Sequence, residues 1–217
     1  MQLRPLLRLF GLAIGLTPSV FALPGEIDDP DGFAYLRAGE SQDSAIVAKV
    51  KTGEVFDFEE YDVSRPSEWN KVTLASGKKG YMHYSRIRFH ATMADLADRK
   101  PEDLANVCAR AKGLDYYPLA RAAARGKKEA MQSYFGLHCE NDPDNDPTSV
   151  HAEICRSVIH LLGDEKLSKF LHGQSDDYLV NLRETLEINT PNPNEPAVYL
   201  KRVFPKASRI LYAAPPS

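Results

Sequence analysis

The feature of this chain that most constrains its fold is a change of pattern near Phe89. Before Phe89, short runs rich in β-branched and aromatic residues alternate with clusters of glycine, proline and serine. Short strands at such regular spacing are typical of a small barrel or sandwich. The predicted strands are Phe33–Arg37, Ile46–Val50, Val55–Val63, Trp69–Leu74 and Gly80–His83.

After Phe89 the apolar residues recur every three or four positions, which is the period of an amphipathic helix. One helix is predicted to begin behind Asp103, and others are predicted around Val150–Leu162 and Leu179–Leu186. The prolines of residues 190–196 cannot continue a helix, so that stretch is predicted to be a loop. These patterns predict an α+β protein, with a small β-barrel followed by an all-α helical domain.

Two segments of the helical half repeat one pattern, 37 positions apart. In each, a helix is predicted to stop at a glycine, Gly126 or Gly163, and to restart within a few charged residues. This period suits stacked helical hairpins. Two copies leave a short solenoid and an irregular bundle both open, and we favour the bundle.

Residues 1–22 have the pattern of a cleavable export signal. Arg4 and Arg8 give a positively charged N-terminal region. It is followed by an apolar segment at Leu9–Leu16 and by residues that suit the cleavage positions at Val20–Ala22. The apolar segment is too short for a membrane span, although an uncleaved N-terminal anchor is the alternative. We therefore expect a periplasmic or secreted protein with no membrane span in the mature chain.

Cleavage after Ala22 would remove two arginines and change the net charge from −3 to −5. A mildly acidic chain without a basic block is a poor candidate for binding nucleic acid or an anionic membrane surface. The expected organisation is a linker at 23–30, a β domain at 31–89 and a helical domain at 90–217.

Several motifs of the β domain resemble those of the bacterial SH3-like (SH3b) domain. They lie at Tyr35–Ser41, Ile46–Gly53, Trp69–Val72 and Gly77–His83, and their order and spacing agree with that family. The resemblance covers about residues 30–88. It implies a small binding barrel of exported cell-envelope proteins, with a peptide or a peptidoglycan component as its partner.

The sequence departs from this family at two positions. Tyr35 stands where the family often has asparagine, and Glu40 replaces its usual proline. Neither change threatens the fold, but both weaken the transfer of a particular ligand by analogy. The helical half carries no recognised motif, and a protein partner is one expectation for it.

The candidate ligand-binding residues are three aromatic and two charged side chains of the β domain. Aromatic surfaces dock extended peptides at low entropic cost. The expected site comprises Tyr35, Arg37, Glu68, Trp69 and Tyr84. Tyr84 is expected to be exposed, whereas Trp69 could equally belong to the core.

The three cysteines allow more than one arrangement. In an oxidising compartment, a Cys139–Cys155 disulfide is favoured over a zinc site formed by these two cysteines with His138 and His151. Cys108, on an apolar helix face, is expected to be a buried free thiol. No cofactor or metal is expected.

The acidic stretch 142–153 places carboxylates at positions 1, 3, 5 and 12 of a potential EF-hand loop. Pro147 occupies the sixth position, where the calcium loop requires glycine for its sharp turn. A turn that caps the following helix is therefore favoured over a calcium site.

No catalytic residues stand out in the sequence. The chain lacks a G-x-S-x-G nucleophile motif, and no cysteine opens a strand-flanked helix as in Cys-His peptidases. The expected function is that of a non-enzymatic binding or scaffold protein. A cell-wall hydrolase with an unfamiliar active site, or its accessory subunit, is the alternative, and a purely intramolecular role for the barrel is a third.

Overall fold

The structure of the chain is a computed structural model that describes residues 22–59, 67–99, 103–138, 147–188 and 196–213. Nearly all of the predicted signal peptide lies outside these residues. The acidic residues at the start of the potential calcium loop also lie outside them, so the calcium prediction remains untested, and Cys139 lies outside them too.

The N-terminal part forms an antiparallel sheet of seven strands in the order β3-β2-β6-β5-β4-β1-β7. The edge strands β3 and β7 are not paired with each other within the described part of the chain. Two predicted strands, β2 and β5, are confirmed residue for residue. The strands are β1 (Ala22–Ile27), β2 (Phe33–Arg37), β3 (Ile46–Lys51), β4 (Val55–Glu59), β5 (Trp69–Leu74), β6 (Lys79–His83) and β7 (Ile87–Phe89).

Strand β1 occupies the segment that was expected to contain a linker. It lies between β4 and β7, and Gly25 is opposite both Phe56 and Phe89. A Cβ atom on Gly25 would lie 2.8 Å from the Phe58 ring and 2.9 Å from the Phe56 ring, so only glycine fits without a shift. Because proline and glycine usually interrupt strands, Pro24 and Gly25 concealed this strand in the sequence.

The C-terminal part consists of helices, as predicted, and the chain is therefore of the α+β class. Asp103 caps the first helix, accepting a hydrogen bond from the Ala105 N–H (3.2 Å). The helices are α1 (Leu104–Ala111), α2 (Tyr116–Ala124), α3 (Lys128–Phe135), α4 (Pro147–Leu162), α5 (Asp164–Leu171), α6 (Asp176–Glu187), α7 (Pro196–Val203) and α8 (Pro205–Leu211).

Two pairs of helices meet at the glycines identified from the sequence. Gly126 joins α2 to α3 with a φ of +85°, and Gly163 joins α4 to α5 with a φ of +78°. A positive φ is costly for residues with a Cβ atom, which explains why glycine ends both helices. The prediction of a helix that stops and restarts at each glycine is confirmed.

The sheet packs directly against the helices, and Phe89 of β7 is at the centre of this contact. The Phe89 N–H donates a hydrogen bond to the buried Tyr199 hydroxyl of α7 (3.1 Å), and the two rings are 5.7 Å apart. The Arg156 guanidinium of α4 lies 4.1 Å from the Phe89 ring centroid. Arg202 contacts the Asp28 carboxylate and donates to the Ile87 carbonyl (2.6 Å). One continuous apolar core results.

Two of the three cysteines lie in the described part of the chain. Cys155 is a free, fully buried thiol on the inner face of α4, so the favoured disulfide at Cys155 does not form. Cys108 is half-buried and disulfide-bonded, and the expectation of a buried free thiol there is wrong. The helical period correctly placed Cys108 on a helix, but it did not reveal which cysteine had a partner within reach.

Candidate functional site

A cavity of about 340 Å³ opens on the sheet and brings together three of the five predicted site residues. Tyr35, Arg37 and Trp69 all line it, although they come from strands that are separate in the sequence. Glu68 and Tyr84 do not line it. The predicted aromatic surface therefore exists in part, and its other members differ from those expected.

The cavity forms where strand β2 diverges from its neighbour β6. The two strands share a single paired position, Arg37 opposite Tyr81. At this crossing a Cβ atom on Gly80 would lie 2.4 Å from the Arg37 carbonyl oxygen and 2.9 Å from Leu36 Cγ. Glycine thus permits a close approach at one point. Earlier in β2, Phe33, Ala34 and Tyr35 line the cavity while the strand pairs with β3 on its other edge.

One wall of the cavity is an aromatic pair with cations beside it. Tyr35 is 38% exposed and meets Phe33 edge to face at 5.3 Å. The guanidinium of Arg37 lies 5.8 Å from the Tyr35 ring and donates to the Ser44 carbonyl (2.8 Å). The Lys49 ammonium lies 3.5 Å from the Phe33 ring. These contacts hold the wall in place and leave the Tyr35 ring available to a ligand.

The opposite wall contains Trp69 and His83, whose rings meet edge to face at 5.5 Å. Trp69 is half-buried, so it contributes both to packing and to the cavity surface. Glu68 points mostly into solvent, with its carboxylate 3.5 Å from His83 Nε2 and its side chain 72% exposed. Glu68 can act on a ligand only through this histidine or from the rim.

Tyr84 is buried, with 8% of its surface exposed, and the prediction that it is a surface residue is wrong. Its ring stacks on His83 with centroids 4.8 Å apart, and its N–H donates to the Glu68 carbonyl (2.9 Å). Side chains alternate between the two faces of a strand, so Tyr84 follows buried Met82 on the inner face. This alternation was the signal in the sequence that would have placed it inside.

The floor of the cavity includes charged residues that the sequence analysis missed. The Asp29 carboxylate is only 4% exposed and contacts Arg86, which follows β6. The same carboxylate accepts a hydrogen bond from the Asp31 N–H (2.8 Å). No sequence signal linked Asp29 to Arg86, because they are 57 residues apart and meet only when β1 enters the sheet.

A second group of reactive side chains is enclosed among the helices. The Tyr116 hydroxyl hydrogen-bonds His151 Nδ1 (2.8 Å) and the Tyr134 hydroxyl (3.1 Å), and Cys155 Sγ is 3.4 Å from His151 Nε2. Burial lowers the pKa of His151 to about 4 and raises the pKa of Cys155 to about 12. A nucleophilic cysteine must be a thiolate, and burial holds this cysteine and histidine in their neutral forms, so their hydrogen bonds serve to satisfy polar atoms inside the helical core.

Within the described ranges, no three His, Cys, Asp or Glu side chains are grouped closely enough to hold a metal ion. Glu153, the last residue of the potential calcium loop, instead pairs with Arg99 (2.8 Å). None of the described helices is long and apolar enough to cross a membrane. Comparison with known proteins yields no matching family model and no matching curated protein.

Proposed function

We propose that this protein is an exported, non-enzymatic binding protein whose sheet is an SH3-like module that takes up a short peptide, with the peptides of the cell wall as the expected source. The observation that supports this most directly is the cavity between β2 and β6. It combines an exposed tyrosine, a half-buried tryptophan and two arginines within one concave surface.

The chemistry of the cavity suits an extended peptide that carries carboxylates. An extended chain can lie along β2 in the manner of an added strand, with aromatic side chains packing on its length. Tyr35 and Trp69 provide the packing surfaces, while Arg37 and Arg86 provide guanidinium groups that bind carboxylates in a planar fork. Asp29 is buried and paired with Arg86, so it holds that guanidinium at the floor of the cavity.

Two further observations support an oxidising, extracytoplasmic compartment. The first 22 residues have the pattern of an export signal, and Cys108 is disulfide-bonded. Disulfides persist in the periplasm and outside the cell and are rare in the cytosol.

The test is capture of the purified protein by peptidoglycan sacculi, with Tyr35→Ala as the variant. Loss of an aromatic anchor costs about 2 kcal/mol or more of binding free energy, so capture should weaken by about thirtyfold. Ile46→Ala is the matched control, because Ile46 is 54% exposed and lies outside the cavity. Equal capture of the wild type, Tyr35→Ala and Ile46→Ala proteins would contradict the assignment of the cavity, and no capture at all would favour the intramolecular role.

A second candidate function is hydrolysis, and one arrangement favours it. Ser85 Oγ lies 2.8 Å from His83 Nδ1, and His83 Nε2 lies 3.5 Å from the Glu68 carboxylate. The chain of serine, histidine and carboxylate resembles a hydrolase triad, with the two ring nitrogens in exchanged roles, since in the triad Nε2 faces the serine and Nδ1 the carboxylate. However, His83 Nδ1 also accepts the Ser85 N–H as the cap of a short 3-10 helix at Tyr84–Arg86, and this capping role accounts for the contact between the two side chains without catalysis.

Release of soluble wall fragments in the same sacculus experiment separates the two functions. A binding protein should release none. Release that the wild type produces and Ser85→Ala abolishes would establish the hydrolase instead, since the substitution removes only the potential nucleophile.

A further inference from the structure

We propose that a second cavity, in the helical part, is a binding site for an anion with two or more phosphate or carboxylate groups. This cavity measures about 710 Å³ and lies between the α2–α3 hairpin and helix α5. Its lining contains Arg125, Lys128, Lys166 and Lys169 and no acidic side chain. It is separate from the sheet cavity, and the proposal does not depend on the function proposed there.

The four cations come from different elements that the fold brings together. Arg125 ends α2 and Lys128 begins α3. Lys166 and Lys169 lie about one turn apart on α5. The carbon chain of Lys166 lies over the hairpin glycine: a Cβ atom on Gly126 would be 3.5 Å from Lys166 Cδ. The glycine turn therefore positions this lysine at the cavity.

The two acidic residues that begin α5 both contact α8, although Glu165 also interacts electrostatically with Lys169. The Asp164 carboxylate accepts the Lys206 N–H (3.0 Å) and the Ala207 N–H (2.9 Å) at the start of α8, and Glu165 pairs with Lys206. None of the four cavity cations forms an ion pair with another described residue.

The lining of this cavity is positively charged, although the net charge of the chain is −3. Like charges held together destabilise a protein unless a counter-ion joins them. A concave surface with several cations focuses its field on an incoming anion. The buried side chains Met131 and Phe170 also line the cavity and offer an apolar surface to the carbon skeleton of an organic anion.

Calorimetric titration of the full chain with pyrophosphate, and separately with citrate, tests the proposal at low salt. Saturable binding of either anion is expected, weakening as salt is added because exposed charges are screened. Binding of pyrophosphate alone assigns the site to phosphates, binding of citrate alone assigns it to carboxylates, and binding of both supports a general polyanion site. Saturable binding of neither anion overturns the proposal.

Lys166→Gln combined with Lys169→Gln should weaken the binding by about tenfold, because each exposed ion pair contributes modestly. The matched control is Lys78→Gln with Lys79→Gln, which removes the same charge from exposed lysines of the sheet. If the first variant melts at a lower temperature than the wild type, Arg125→Gln with Lys128→Gln replaces it. Equal loss in the control, or no loss in either cavity variant, would refute the assignment of the cavity.

Discussion

Removal of the Tyr199 hydroxyl should weaken the contact between the sheet and the helices, and with it the stability of the whole fold, by an amount that the structure allows us to estimate. Tyr199 is 2% exposed, and the Phe89 N–H that donates to it belongs to a residue that is 4% exposed. The hydroxyl also hydrogen-bonds His160 Nε2 (2.9 Å). Burial, with the nearby Arg88, Arg156 and Arg202, lowers the pKa of His160 to about 3, so this ring is neutral at pH 7.

The expected cost of Tyr199→Phe follows from these two hydrogen bonds. A buried N–H left without an acceptor costs about 1–3 kcal/mol, and an ordinary hydrogen bond contributes about 1 kcal/mol. The ring remains and keeps its packing on Phe89. We therefore expect the free energy of unfolding to fall by about 2–4 kcal/mol.

Urea unfolding measures this change in both parts of the molecule. The only tryptophan, Trp69, reports on the sheet through its fluorescence, and far-ultraviolet circular dichroism reports mainly on the helices. Because the core is continuous, both signals should follow one transition in the wild type and shift together in Tyr199→Phe.

Tyr178→Phe is the matched control. Its hydroxyl donates a longer and more exposed hydrogen bond to the Gln132 carbonyl (3.4 Å), so its loss should cost less than about 1 kcal/mol. An unfolding free energy of Tyr199→Phe within about 0.5 kcal/mol of the wild type would refute the argument. It would mean that water or a shifted backbone replaces the hydroxyl.

Three further predictions concern the sheet and the buried histidines. Tyr84→Ala should lower the free energy of unfolding by about 3–5 kcal/mol, as expected for a buried aromatic residue; a melting temperature equal to that of the wild type would place Tyr84 on the surface. Gly80→Ala should cost about 1–3 kcal/mol, because its Cβ atom would meet the Arg37 carbonyl oxygen at 2.4 Å. Gly39→Ala, which would meet only the Ser44 hydroxyl, should cost less. Burial lowers the pKa of His151 from 6.5 to about 4, so the unfolded chain binds more protons between these values. His151 should therefore make stability fall by about 1.4 kcal/mol per pH unit as the pH drops through this window, in addition to a similar contribution from His160, whose pKa burial also lowers. A slope that is shallower by about this amount in His151→Gln would assign the share of His151.

Local pattern in the sequence was sufficient to predict the class of fold and most of its elements. The strands Phe33–Arg37 and Trp69–Leu74 could be read from their β-rich runs and flanking turns, since side-chain alternation and turn residues act over a few positions. The helix that Asp103 caps and the helices that end at Gly126 and Gly163 could also be predicted from local signals, namely a capping residue and glycines that stop a helix.

Residues that share the sheet cavity could be predicted only where they lie on strands of recognisable pattern. Tyr35, Arg37 and Trp69 lie on such strands, and all three line the cavity in the structure. Tyr84 was misplaced because it directly follows the end of β6 at His83, where a side chain was expected to be exposed. It begins a short 3-10 helix, but its ring still lies on the same inner side as buried Met82, two residues earlier.

The remaining features depend on contacts between distant parts of the chain. Strand β1 forms despite Pro24 and Gly25, because two neighbouring strands satisfy its backbone and two phenylalanine rings fill the space that a side chain would take. The meeting of Asp29 with Arg86, the Tyr199 contact that joins sheet to helices, and the four cations around the helical cavity have the same origin. A sequence pattern records the preference of each segment, whereas these sites exist only after packing has placed the segments side by side.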